Sequence, residues 1–206
     1  MKDYLSCILF LFCIALNAQK KVYKNFLADH IELIQVDATN SFLVEVETSE
    51  SSEIVIETQM EGEYSQDLGL EVIIDGNTLL VESGFTPNFE NPNDKLSAHK
   101  VVSISVLMKI PLHKKLEIFG TNSRVVVGGE FEEIDISLSD GACVLIDVIA
   151  DITVKSQSGN IKVMSKAAKI TAISKYGTIS SNPIPLGTSI YKLQTVTGNI
   201  DFSKTE

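Results

Sequence analysis

Stepping by nine from Leu116, the chain places Leu116, Val125, Ile134, Cys143, Ile152, Ile161, Ile170 and Ile179, all eight apolar. Two residues later the same step gives Ile118, Val127, Ile136, Leu145, Val154, Val163, Ala172 and Ser181, seven of the eight apolar. The chain as a whole is 44% hydrophobic, so two such runs are not a product of composition. Apolar-x-apolar is a strand with one buried face. A short strand recurring at fixed spacing predicts stacked coils.

Glycine doubles the repeat. Gly141, Gly159 and Gly177 stand 18 residues apart, and Gly198 follows after 21. The three extra residues fall in Asn182–Ile190, which holds Pro183 and Pro185. These glycines mark one corner of an 18-residue coil. Phe131, Ile149 and Ala167, again 18 apart, suggest an inward stripe at the other. Five coils are expected, beginning at Leu116, Ile134, Ile152, Ile170 and Tyr191. The expected fold is all-β: a short parallel β-helix over residues 116–206, right-handed by the chirality of parallel crossovers. The alternate positions should face outward: Glu117, Asp135, Thr153, Thr171 and Lys192 on one side, Val126, Val144, Lys162, Ser180 and Asp201 on the other. Val126 and Val144 suggest that something covers the early coils there.

Residues 28–110, within a first region expected to span 19–115, do not keep the nine-residue step. Strands are expected near Ile31–Val36, Phe42–Thr48, Glu53–Gln59, Leu70–Ile74, Thr78–Glu82 and Val101–Lys109. Asp75-Gly76-Asn77 between apolar runs signals a hairpin. Polar Ser83–His99, with Pro87 and Pro92, reads as a long loop. This half is expected to be an antiparallel β region that caps the first coil and is continuous with the solenoid as one unit. The far end, finishing at Glu206, carries no evident cap, so it is the expected site of tail-to-tail homo-oligomerisation.

Residues 1–18 have the order of a secretory signal: Lys2, an apolar run from Leu5 to Leu16 broken only by Ser6, then Asn17-Ala18. The run is too short to span a bilayer, which takes about 20 residues. Cleavage after Ala18 would leave an exported chain, periplasmic, outer-surface or secreted. It would also remove Cys7 and Cys13, leaving Cys143 alone as a small buried hydrophobe. The net charge of −10, with Arg124 as the single arginine, argues against nucleic acid.

The layout of signal, antiparallel region, "IPLHKKLEIFGTNSRVVV", and coils with "SGNIKV", "YGTI" and "TGNIDF" resembles the adhesin-like domains of exported Bacteroidetes proteins. These are the head-domain group of auto-transporter adhesins and its related β-helical family of unknown function. The resemblance spans roughly residues 28–203 and implies the fold; the name adhesin is itself an inference from that fold, and no catalytic residue comes with it.

No nucleotide loop, zincin motif or nucleophile elbow is present. His30, His99 and His113 lack ligand spacing. Acidic residues gather at Glu130, Glu132, Glu133 and Asp135, and again at Glu90 and Asp94, where solvated charge is the simpler reading than calcium. Glu117 and Asp135 should stack on successive coils, a carboxylate pair of the kind polysaccharide-acting enzymes use. The sequence therefore yields no catalytic, cofactor or metal residues. It favours a non-catalytic binding or structural module of the cell envelope, with an unidentified protein or glycan as partner. A polysaccharide-acting enzyme and an envelope signalling accessory are the alternatives.

Overall fold

Alternating apolar residues build strands almost throughout the computed structural model, which describes residues 19–89 and 102–205. The signal-like segment, His99 and the acidic pair Glu90 and Asp94 lie outside the described residues. In chain order the strands are β1 (Gln19–Leu27), β2 (Leu33–Asp37), β3 (Leu43–Ser49), β4 (Glu53–Gly62), β5 (Leu68–Asp75), β6 (Thr78–Phe85), β7 (Val102–Pro111), β8 (Lys115–Gly120), β9 (Arg124–Leu138), β10 (Cys143–Ser156), β11 (Ile161–Ser165), β12 (Lys169–Ser174), β13 (Ile179–Ser181), β14 (Ile190–Thr195) and β15 (Ile200–Lys204). The hairpin falls where Asp75-Gly76-Asn77 placed it, with Gly76 at φ 60° between β5 and β6. β1 was not foreseen, and β6 continues through Ser83–Phe85, which the sequence had assigned to a loop.

The expectation of an antiparallel cap on a parallel β-helix is overturned. All the strands belong to one mixed sheet that curls into a nearly closed barrel. Among the described residues, antiparallel pairing is confined to β1 with β4, β4 with β7 and β5 with β6. β2 pairs in parallel with both β6 and β8, and β3 with both β7 and β9. The first half therefore extends the parallel ladders instead of covering them. One wall runs β1-β4-β7-β3-β9-β10-β11-β15-β13. The other runs β5-β6-β2-β8-β9-β10-β14-β12. β9 and β10, 15 and 14 residues long, are long enough to belong to both.

The 18-residue step appears as pairing register. Leu116 lies beside Ile134 and Ile134 beside Ile152, while Val125 lies beside Cys143 and Cys143 beside Ile161. Beyond that the stacking leaves chain order. β14 sits between β10 and β12, and β15 sits between β11 and β13. Ile152 thus meets Tyr191, not Ile170, and Ile161 meets Ile200, not Ile179. The physical reason is burial. The layer of β14 and β15 offers Tyr191, Leu193 and Ile200 to the core, all nearly inaccessible. Ile170, Ala172 and Ile179 are smaller in sum and remain partly or largely exposed on the terminal layer. Exchanging the two layers would bring the larger apolar surface out of the core.

The corners carry a hydroxyl-glycine device. At three of the four corners a serine or threonine three residues before the glycine accepts its N–H: Gly159 N–H to Ser156 Oγ at 2.8 Å, Gly198 to Thr195 Oγ1 at 3.1 Å, Gly177 to Ser174 Oγ at 3.0 Å; Gly141, which has Leu138 at that position, donates instead to Thr121 O at 3.0 Å. The hydroxyl in turn donates to the neighbouring layer, as from Ser174 to Gly198 O at 2.8 Å. The layers are so close that a Cβ on Gly159 would lie 1.6 Å from Gly141 O, and one on Gly198 2.1 Å from Gly159 O. The expected stripe at the opposite corner is displaced. Phe131 is buried, but Ile149 is 54% exposed, and Val148, Ala150 and Ala168 fill the interior instead. The cause is a register shift around Asp147, whose φ is +46°.

Candidate functional site

Strand alternation sends every second side chain to the outer surface. On the first wall the register aligns Tyr23, Glu57, Leu107, Glu45, Val126 and Val144 in one outward row across β1, β4, β7, β3, β9 and β10. The next row holds Val55, Lys109, Glu47, Gly128 and Ile146. Two shallow depressions share Glu45 and Glu47. One of about 280 Å³ is lined by Thr48, Val126, Gly128, Gly129 and Ile146 besides them. The other, about 430 Å³, is lined by Tyr23, Val55, Glu57, Leu107, Met108 and Lys109 besides them. Together they make a face on which apolar side chains surround three carboxylates.

Backbone geometry shapes the floor of the first depression. Gly129 has φ +108°, and a Cβ there would lie 2.0 Å from Thr48 Oγ1. The same hydroxyl accepts the Glu130 N–H at 2.9 Å, which ties β3 to β9 at the rim. Val126 and Val144 are half-buried, and among the described residues no strand of the first half lies over them. β3 lies beside β9 in the same sheet, with Glu45 next to Val126, and so widens this face where a cover was expected.

The other sequence candidates fall elsewhere. Glu117 and Asp135 are register neighbours on the outer surface of the second wall, followed by Thr153 and Lys192. Glu132 and Glu133 bind Lys115 at 3.3 and 3.7 Å. The hydrogen bond and charge of Glu132 hold the Lys115 ammonium above its ordinary value. Those two carboxylates serve a lysine and do not converge with Glu130 and Asp135 on one centre. His30 and His113 are exposed, on the turns that lead into the paired strands β2 and β8. Among the described residues, no three His, Cys, Asp or Glu side chains are grouped to hold a metal ion. Cys143 is a buried free thiol whose pKa is pushed up to about 12 by desolvation.

The face itself was missed in the sequence. β1, which supplies Tyr23, had not been recognised, and the parallel partners that carry Glu45 to Val126 lie about eighty residues apart in the chain. The one available signal was Glu45 and Glu47 alternating with Val44 and Val46.

No protein-family profile matches the sequence, and none of the curated proteins does. Solved structures do. A putative cell adhesion protein from Clostridium sporogenes superposes with a TM-score of 0.64 at 12% identity, over 91% of this chain and all (100%) of that one. A putative adhesin from Bacteroides fragilis gives a TM-score of 0.44 at 12% identity, over 89% of this chain and 97% of that one. One from Parabacteroides merdae gives 0.37 at 15% identity, over 89% and 96%. The adhesin resemblance read from the sequence recurs in these descriptions. The Clostridium structure establishes a shared fold. Among the described residues, no helix is long and apolar enough to cross a membrane.

Proposed function

We propose that the chain is an exported, non-catalytic binding module, adhesin-like in role, that works at the cell envelope or in the secreted fraction. Its ligand, an envelope protein or glycan, docks on the outer face built by β1, β4, β7, β3, β9 and β10. The observation that carries this reading is that face: Tyr23, Leu107, Val126 and Ile146 frame Glu45, Glu47 and Glu57 on a rigid sheet. Apolar and aromatic side chains give area at low entropic cost, and fixed carboxylates give orientation to hydroxyl or cationic partners. The shared fold of the Clostridium adhesion protein supports the reading by analogy only. Export rests on the signal-like order of residues 1–18.

The test is capture from a cell-envelope extract and on a glycan array, with the chain and two face variants as bait. Glu45→Lys with Glu47→Lys, and separately Val126→Asp, should abolish capture of the same partner while circular dichroism stays unchanged. Capture that survives both variants would place the binding surface elsewhere. Turnover of a captured polysaccharide would replace this reading with the enzyme alternative.

A further inference from the structure

Both walls of the sheet end on free edges. Among the described residues β12 pairs only with β14, and β13 only with β15, at one end; β5 pairs only with β6, and β1 only with β4, at the other. The β12 and β5 edges differ in charge: β12 and its flanks carry Lys166, Lys169 and Lys175 with no carboxylate between residues 161 and 200, while β5 carries Glu71 and Asp75 and no lysine. Both edges also expose apolar side chains: Ile173 at 57% on β12, and Ile73 and Ile74 at 47% and 54% on β5.

We propose that the β12 edge of one copy of this chain pairs with the β5 edge of the next, head to tail. The direction of the strands allows it. β12 runs parallel to β14, β10, β9, β8, β2 and β6 in turn, and β5 runs antiparallel to β6. Two copies in the same orientation therefore bring β12 and β5 together antiparallel. One register satisfies both faces. Ile170 and Ala172 share the inward side with Tyr191 and Leu193, and Ile74 and Val72 share it with Leu79 and Val81. Setting Ile170 opposite Ile74 sets Ala172 opposite Val72, so the exposed end of each core closes on the other. The same register puts Lys169 opposite Asp75 and Ile173 opposite Glu71 on the outer side.

Charge selects this arrangement over two tails meeting. A lysine on an edge strand repels an identical edge, and tail-to-tail contact would crowd Lys166, Lys169 and Lys175 of both copies together. Head-to-tail contact turns the same lysines toward the acidic end. A heterologous contact of this kind leaves a free edge at each end of every oligomer, so growth is open. The binding face on the first wall stays exposed along the stack, and the inference stands independently of what that face binds.

Sedimentation velocity of the purified chain tests it. At low salt the weight-average mass should rise past that of a dimer as concentration increases, and 0.5 M salt should return it toward monomer. Lys169→Asp and Asp75→Lys should each lower self-association about tenfold, near 1.4 kcal/mol. Mixing the two variants should restore co-assembly, because each then meets its complement; this restoration also shows that both are folded. A chain that stays monomeric at low salt, a plateau at dimer, an unaffected Asp75→Lys variant, or a mixture that does not co-assemble would each overturn the proposal.

Discussion

Gly159 sits where two layers of backbone touch, and no side chain fits there: its Cβ would stand 1.6 Å from Gly141 O and 2.8 Å from Ser156 Oγ. The obstacle is backbone, which cannot swing aside as a lysine tip would. Gly159→Ala should therefore lower stability by about 2–3 kcal/mol in urea unfolding. Gly69→Ala, whose Cβ would meet only a Thr86 methyl at 3.2 Å, should cost clearly less. Cys143 gives a second test at this scale. Its buried thiol keeps its proton up to about 12, against an ordinary 9.0, and the Tyr191 phenol is also pushed up by burial. Both groups stay protonated in the folded chain at pH values where the unfolded chain has lost those protons. Stability is thus complete below pH 9 and falls as pH rises through the window to about 12. Unfolding midpoints at pH 8, 9.5 and 10.5 should decline in that order. The native thiol should resist a disulfide reagent at pH 8 and react on unfolding.

At the scale of elements, the nine-residue step announced which residues face inward but not which strand lies next to which. Leu116, Ile134 and Ile152 are stacked as their spacing implies. Periodicity carries no term for layer order, so it placed Ile170 on Ile152, where the structure has Tyr191. The choice depends on which segment buries more, a comparison between Tyr191, Leu193 and Ile200 on one side and Ile170, Ala172 and Ile179 on the other. The outer face was less legible still. Its carboxylates could be seen alternating with valines, but their neighbours come from β1, β7 and β9, and nothing local encodes those pairings. Layer order can be measured. Tyr191 is fully enclosed and its hydroxyl donates to Val148 O, so Tyr191→Ala should cost about 3–5 kcal/mol. Ile170 is half-buried on the terminal layer, and Ile170→Ala should cost about 1–2 kcal/mol. Equal losses, or the reverse ranking, would restore stacking in chain order.

For the whole molecule, one continuous core replaces a cap and a solenoid. β9 lies between β10 on one side and β3 and β8 on the other, so Val125 and Val127 are enclosed by Val44 and Val46 of the first half as much as by Cys143 and Leu145. Cutting the chain at residue 115 removes β3 and β2, and so exposes that row of β9 along with β8. A lone fragment of residues 116–206 would replace the β5 and β1 edges with a new edge that exposes the apolar ladder of β8 and β9. It should therefore fail to fold, appearing aggregated or without a cooperative melt by circular dichroism. The intact chain should unfold in a single transition, with fluorescence of its tyrosines and far-ultraviolet ellipticity changing together. Two separated transitions, or a fragment 116–206 that melts cooperatively as a monomer, would mean that the parallel layers are stable without the strands that precede them.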